Sequence, residues 1–344
     1  MVDKTEEGES CWKDIDELMG EYLVYTAMAN DYVYGGYCAQ WMVQIFADTT
    51  HLFIDIVYIR NNEIPGLFNI VAPCQELSCY VPVFRVFVNN KQDTTAIAKV
   101  ISQVFNHINE NDKTFDDGSK IEQIMVDFSD AEDAGLRKAL GEDFVNRVLR
   151  GCDFHYKQSL VSETTPQQEL FLSLAKRIPD ATQEEVFEIF SVLKGEKPVA
   201  SIVDFLPENQ REASVLVRND KWTGARHWVD WWLRENHLKK LCKAFRDTPE
   251  EVWENSQATN NPVESINRTS KTVHLCSLKE ALQHVYLEYR RTAFLLLATW
   301  DGRSVTYRKT KNNRKRKRPA NSMGSAQNPP DKKKNLKKKK EGGI

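Results

Sequence analysis

The chain reads as an α/β protein built on a mixed sheet, and three features predict this. Three apolar runs, His51 to Ile59, Leu67 to Ala72 and Tyr80 to Val88, follow one another across very short gaps. Parallel neighbours need a crossover of a dozen or more residues, so these three form an antiparallel meander. Beyond them strands alternate with helix-patterned segments, the arrangement that adds strands in parallel. From about residue 166 to 254 the pattern is helical only.

Each element has its local reason. Asn61-Asn62 and Pro65-Gly66 punctuate the first gap with turn-forming residues. From about 93 to 109 the sequence DTTAIAKVISQVFNHIN has apolar residues near every 3.6 positions, with Asp93 or Thr94 as N-cap. A nearly continuous apolar strand is expected over Ile121 to Phe128, then a helix from about Asp130 to Leu140. Continuous apolarity marks a strand covered on both faces. A fifth strand is expected near Arg147 to Phe154, and a helix from about His155. The segments PQQELFLSLAKRI, QEEVFEIFSVLKG and ARHWVDWWLRENHLKKLCKAF form an all-α insertion, and Leu278 to about Trp300 is a long helix apolar enough to lie on the core.

The domain plan that follows has an N-terminal segment (1–44), a core (45–165), the helical insertion (166–255), returning core helices (256–307) and a basic tail (308–344). At 344 residues and 41% apolar content the chain can bury a large core, and no apolar run is long enough to span a bilayer. The first ten residues are acidic and polar, unlike a secretory signal. Seven irregularly spaced cysteines fit a reducing compartment.

Charge is distributed unevenly. The tail from Arg308 holds 15 of the 47 basic residues but only 2 of the 49 acidic ones, so it carries +13 and the rest of the chain −15. Its two blocks, RKRKRP (Arg314, Lys315, Arg316, Lys317, Arg318) and KKKNLKKKK from Lys332, have the form of a nuclear import signal and of a sequence-independent DNA-binding arm. The plainer reading is a solubilising tail.

Three acidic residues stand out. Asp55 and Asp127 each interrupt an apolar strand, and Glu264 falls in the first turn of a helix opened by Asn261-Pro262. A buried carboxylate must be paired, hydrogen-bonded or bound to metal. Three together suit two hard divalent ions about 4 Å apart, the arrangement that serves phosphodiester chemistry. Structural roles compete: Asp55 as partner of a basic residue, Asp127 as a helix cap, Glu264 as the third residue of a capping box. Cys152-x-x-His155 has half the spacing of a zinc site, with His237 and Cys242 as the distant residues that could complete it, so zinc is not expected. Trp228, Trp231 and Trp232 share one helical face, the pattern of a helical core, with base stacking as the sharper alternative.

The order β-β-β-α-β-α-β-α, with acids on the first and fourth strands, resembles the ribonuclease H-like fold. The segments HLFIDIVY, YVPVFRVFVNNKQDT, IMVDFSDAE, CDFH and TNNPVESIN resemble, in that order and over roughly residues 45 to 300, the Mutator-like element (MULE) transposase domain. The resemblance implies metal-dependent DNA cleavage and strand transfer, with Asp55, Asp127 and Glu264 as catalytic, metal-binding residues and Mg²⁺ or Mn²⁺ as cofactor. It places Cys152 and His155 in the family's C-x-x-H pair, whose role it leaves open. The partners implied are DNA, as transposon ends and target, and the nuclear import machinery, in the nucleus, with a homo-oligomer left open and no membrane. The chain departs from the family at Val57, where a threonine is usual, and in its first 50 residues, which hold only Cys11 and Cys38 rather than a zinc-containing DNA-reading domain. Those departures favour the alternative of a domesticated, non-catalytic nuclear DNA- or protein-binding derivative.

Overall fold

A computed structural model describes residues 23–29, 32–58, 66–88, 93–161, 168–206, 208, 211, 225–259, 261–270, 278–300 and 302. The basic tail, with Arg314 to Arg318, lies outside these residues. Seven strands form one mixed sheet: β1 (Leu23–Ala29), β2 (Tyr32–Tyr37), β3 (His51–Tyr58), β4 (Gly66–Cys74), β5 (Cys79–Val88), β6 (Gln123–Val126) and β7 (Leu149–Gly151), in the order β1-β2-β5-β4-β3-β6-β7. Pairing is antiparallel from β1 through β3, and β6 and β7 add in parallel. The molecule is thus α/β with parallel and antiparallel strands, and the five strands from β5 to β7 are compatible with a ribonuclease H-like arrangement. The N-terminal segment, expected to lie outside the core, supplies β1, β2 and most of helix α1 (Gln40–Asp48).

The three-strand meander forms as its sequence predicts. Helix α2 (Thr94–Asn111) begins at Asp93, whose side chain accepts from the Thr95 N–H. Helix α3 (Asp130–Leu140) begins at Ser129, which accepts from the Glu132 N–H. The strand expected near Arg147 to Phe154 is present but shorter, with helix taking up both its ends. Helix α4 (Glu142–Val148) starts at Gly141, whose φ of 88° suits glycine. Val145 and Val148 then point inward together, one helical turn apart. Only Leu149–Gly151 remain extended, before α5 (Asp153–Val161).

Period-two alternation assigns the sheet faces. Leu52 and Ile54 enter the large core with Phe46 of α1 and Ile101, Val104 and Phe105 of α2. Phe53 points the other way, into a cluster with Val71, Met125 and Cys152, covered by Val263 of helix α11 (Asn261–Ser270). The helical insertion has its own core. Helices α6 (Gln168–Arg177), α7 (Gln183–Leu193) and α8 (Ala225–Trp232) close around Phe171, Ile189, Phe190, Trp228 and Trp232. The third predicted insertion helix breaks after Trp232 and resumes as α9 (Glu235–Leu241). Helix α10 (Glu250–Asn255) leads to α11, and the long helix α12 (Leu278–Trp300) follows. No helix among the described residues is long and apolar enough to cross a membrane.

Candidate metal centre

Strand register brings the two aspartates together. On adjacent parallel strands Phe53 is aligned with Met125. Asp55 and Asp127 each lie two residues further on, so they occupy matching positions on the same face. Asp127 stands where β6 has ended, and its Oδ1 accepts the Ser129 N–H at 2.6 Å, turning the chain into α3. The cap role weighed for Asp127 is therefore real in part, and it leaves the carboxylate at the site.

The third acid beside them is Glu132. Ligand oxygens of Asp55, Asp127 and Glu132 all lie within 4.8 Å of one another. Glu132 sits one turn into α3, is 1% exposed, and leaves Oε2 buried with no hydrogen-bond partner. Burial, then the charges of Asp127 and Asp55 and a hydrogen bond with Asp127, push its carboxyl well above the usual range. Lys240 of α9 opposes that shift, from a buried position 3.0 Å from Asp133. Asp133 also accepts from Arg137 Nε at 2.6 Å. Three oxygen donors with one orphaned carboxylate oxygen fit a hard divalent cation, so the residues present could hold a metal ion. Across the sheet Asp55 is paired with Asn69 and Asn69 with Arg85, a polar row that ends in a 2.9 Å ion pair with Glu288 of α12.

Glu264 belongs to a second group of possible ligand atoms. It falls in the first turn of α11, as predicted, on the helix that covers the Phe53 face. Its donor group is Cys152 and His155, the three ligand atoms lying within 4.8 Å of one another. His155 Nε2 is 3.6 Å from Glu264 Oε1. Several bonds fix the chain that delivers α11. Gln123 exchanges two hydrogen bonds with the Gln257 backbone, the Asp153 N–H donates to Ala258 O at 2.9 Å, and Arg150 donates to Trp253 O while stacking on its ring. His237 and Cys242, the residues weighed as completing a Cys152/His155 site, do not join it. His237 bonds the Trp231 carbonyl and Asp130, while Cys242 is buried in the insertion core.

A cavity of ≈ 830 Å³ is lined by one residue of each group, Asp127 and His155, together with Ser129, His227 and Trp231. Trp228 and Trp232 are buried in the insertion core, the plainer of their two readings. Trp231 is only partly buried and stacks on His237, 3.9 Å between ring centres.

Glu132 and Lys240 were the residues that sequence reasoning missed. Acids in the first turn of α3 look like ordinary helix-terminus charges. The available signal was that Glu132 lies five positions after Asp127 across a strand-to-helix turn. Compared with protein-family models and with curated protein sequences, the chain matches none.

Proposed function

We propose that this chain is a ribonuclease H-like, MULE-like transposase core that cleaves DNA and transfers strands with divalent metal. The observation that carries the reading is the convergence of Asp55, within β3, and Asp127, just past the adjacent parallel strand β6, with Glu132 behind them. In this reading the two aspartates and Glu132 hold Mg²⁺ or Mn²⁺. When bound there, such ions would supply Lewis-acid polarisation of the scissile phosphate and activation of a water or 3′-hydroxyl. The chain's own part is positional. Register fixes Asp55, the Ser129 N–H fixes one oxygen of Asp127, and α3 holds Glu132 out of water. Glu264, implied as the third acid by resemblance, is supplied from the covering helix. The basic tail gives sequence-independent affinity for phosphates and carries the chain to the nucleus. The alternative, a non-catalytic nuclear binder, is favoured by Val57 and by the −15 charge of the body.

The test uses the full chain, DNA carrying the ends of its own element, and Mg²⁺ or Mn²⁺. Divalent-dependent nicking should appear, and Asp55→Asn or Asp127→Asn should abolish it while DNA binding persists. Glu132→Gln and Glu264→Gln, assayed separately, assign the third carboxylate. Absence of divalent-dependent nicking with ends at high concentration would leave the non-catalytic reading.

A further inference from the structure

The Cys152, His155 and Glu264 group differs in chemistry from the aspartate group. It offers one sulfur, one imidazole nitrogen and one carboxylate oxygen, from the end of β7, the first turn of α5 and the first turn of α11. Magnesium and manganese prefer oxygen ligands, whereas a thiolate with an imidazole selects zinc. Zinc in four-coordinate sites has bonds of about 2.0–2.3 Å, which sets its donors roughly 3.3–3.8 Å apart. The 3.6 Å between His155 Nε2 and Glu264 Oε1 falls in that range, and the whole group needs only a small contraction from its 4.8 Å limit.

A second observation points to a ligand. Glu264 Oε1, one of those donor atoms, is buried without a hydrogen-bond partner. An orphaned carboxylate oxygen between an imidazole and a buried cysteine is a position that a cation would fill.

We propose that Cys152, His155 and Glu264 bind one zinc ion, with its fourth position facing the cavity that His155 lines. Binding releases the Cys152 thiol proton to solvent and involves no redox change. The ion ties α11 to the corner between β7 and α5, supplementing the backbone bonds made by residues 253 to 258. The zinc site does not rest on the transposase reading.

The experiment measures metal rather than turnover. The full chain is equilibrated with zinc under reducing conditions, dialysed, and its zinc determined by emission spectrometry. One zinc per chain is expected. Asp127→Asn and Cys79→Ser should retain it, whereas Cys152→Ser and His155→Ala should lower zinc affinity at least ~10-fold. With cobalt in place of zinc, a thiolate-to-metal charge-transfer band should appear and be absent from Cys152→Ser. Glu264→Gln, nearly isosteric, should keep that band and weaken the visible bands of four-coordinate cobalt, so the proposal stays testable if Cys152→Ser fails to fold. Absence of stoichiometric zinc from the parent chain would overturn the site, as would loading unchanged in both Cys152→Ser and Glu264→Gln. Loss of nicking with zinc binding intact would count against the transposase reading alone.

Discussion

Glu132 shows how a single residue can carry a cost to the fold. It is buried against two aspartates, and its folded-state carboxyl lies well above its ordinary value of 4.5. A carboxyl raised in this way stabilises the fold fully below that ordinary value, and the contribution is lost as pH rises through the folded one. Glu132→Gln cannot titrate, so it escapes this loss. In chelator, the variant should match the parent just below pH 4.5 and exceed it by about 0.5–2 kcal/mol at neutral pH, a gain typical of relieving strain at a functional site. Thermal unfolding of both proteins at the two pH values checks this. A parent as stable as the variant at neutral pH would mean that Glu132 is already compensated within the fold. Adding Mg²⁺ should stabilise the parent more than the variant, since a ligand that binds only the folded state raises its stability.

At the scale of elements, the site depends on how closely β6, β7 and α3 approach. Gly151 of β7 faces the ring of Phe128, the residue directly after Asp127. A Cβ added there would come within 2.4 Å of the ring, and Gly135 of α3 lies as tightly on Ile97 of α2. Phe128 also meets Trp232 of the insertion edge-on, 4.5 Å between ring centres, so its ring has little freedom to yield. Gly151→Ala should therefore cost about 1–3 kcal/mol of stability, the usual range for overpacking. It should also displace Asp127 and weaken divalent binding, although no ligand is altered. Denaturant unfolding and Mn²⁺ titration measure the two effects separately. A variant with unchanged midpoint and unchanged Mn²⁺ affinity would show that Phe128 has more room than its contacts imply.

For the whole molecule, the proposed function makes the charge division the feature that governs encounter with DNA. The body carries −15 and the tail from Arg308 carries +13. Deleting residues 308–344 should leave the unfolding transition unchanged and sharply reduce non-specific DNA affinity. It should also flatten the dependence of binding on salt, because each lost phosphate contact removes about one released counterion. A truncated chain that bound DNA with the parent's salt slope, and still accumulated in nuclei, would reduce the tail to a solubiliser.

Local pattern in the sequence determined the α/β class, the β3–β5 meander, the bounds of α2 and α3, and the separate core of the helical insertion. Each follows from apolar period, turn residues or an N-cap, which are properties of neighbouring residues. The same pattern singled out Asp55 and Asp127, since an acid in an apolar strand is conspicuous before any fold is known. The chain's tertiary structure decided the rest. The register of two distant strands set the aspartates side by side. A helix start at Gly141 shortened β7, and docking of α9 placed Lys240 beside Asp133 and Glu132. The Gln123–Gln257 and Arg150–Trp253 bonds carried Glu264 to Cys152 and His155. Such pairings join positions far apart in the chain, so no local period or spacing encodes them.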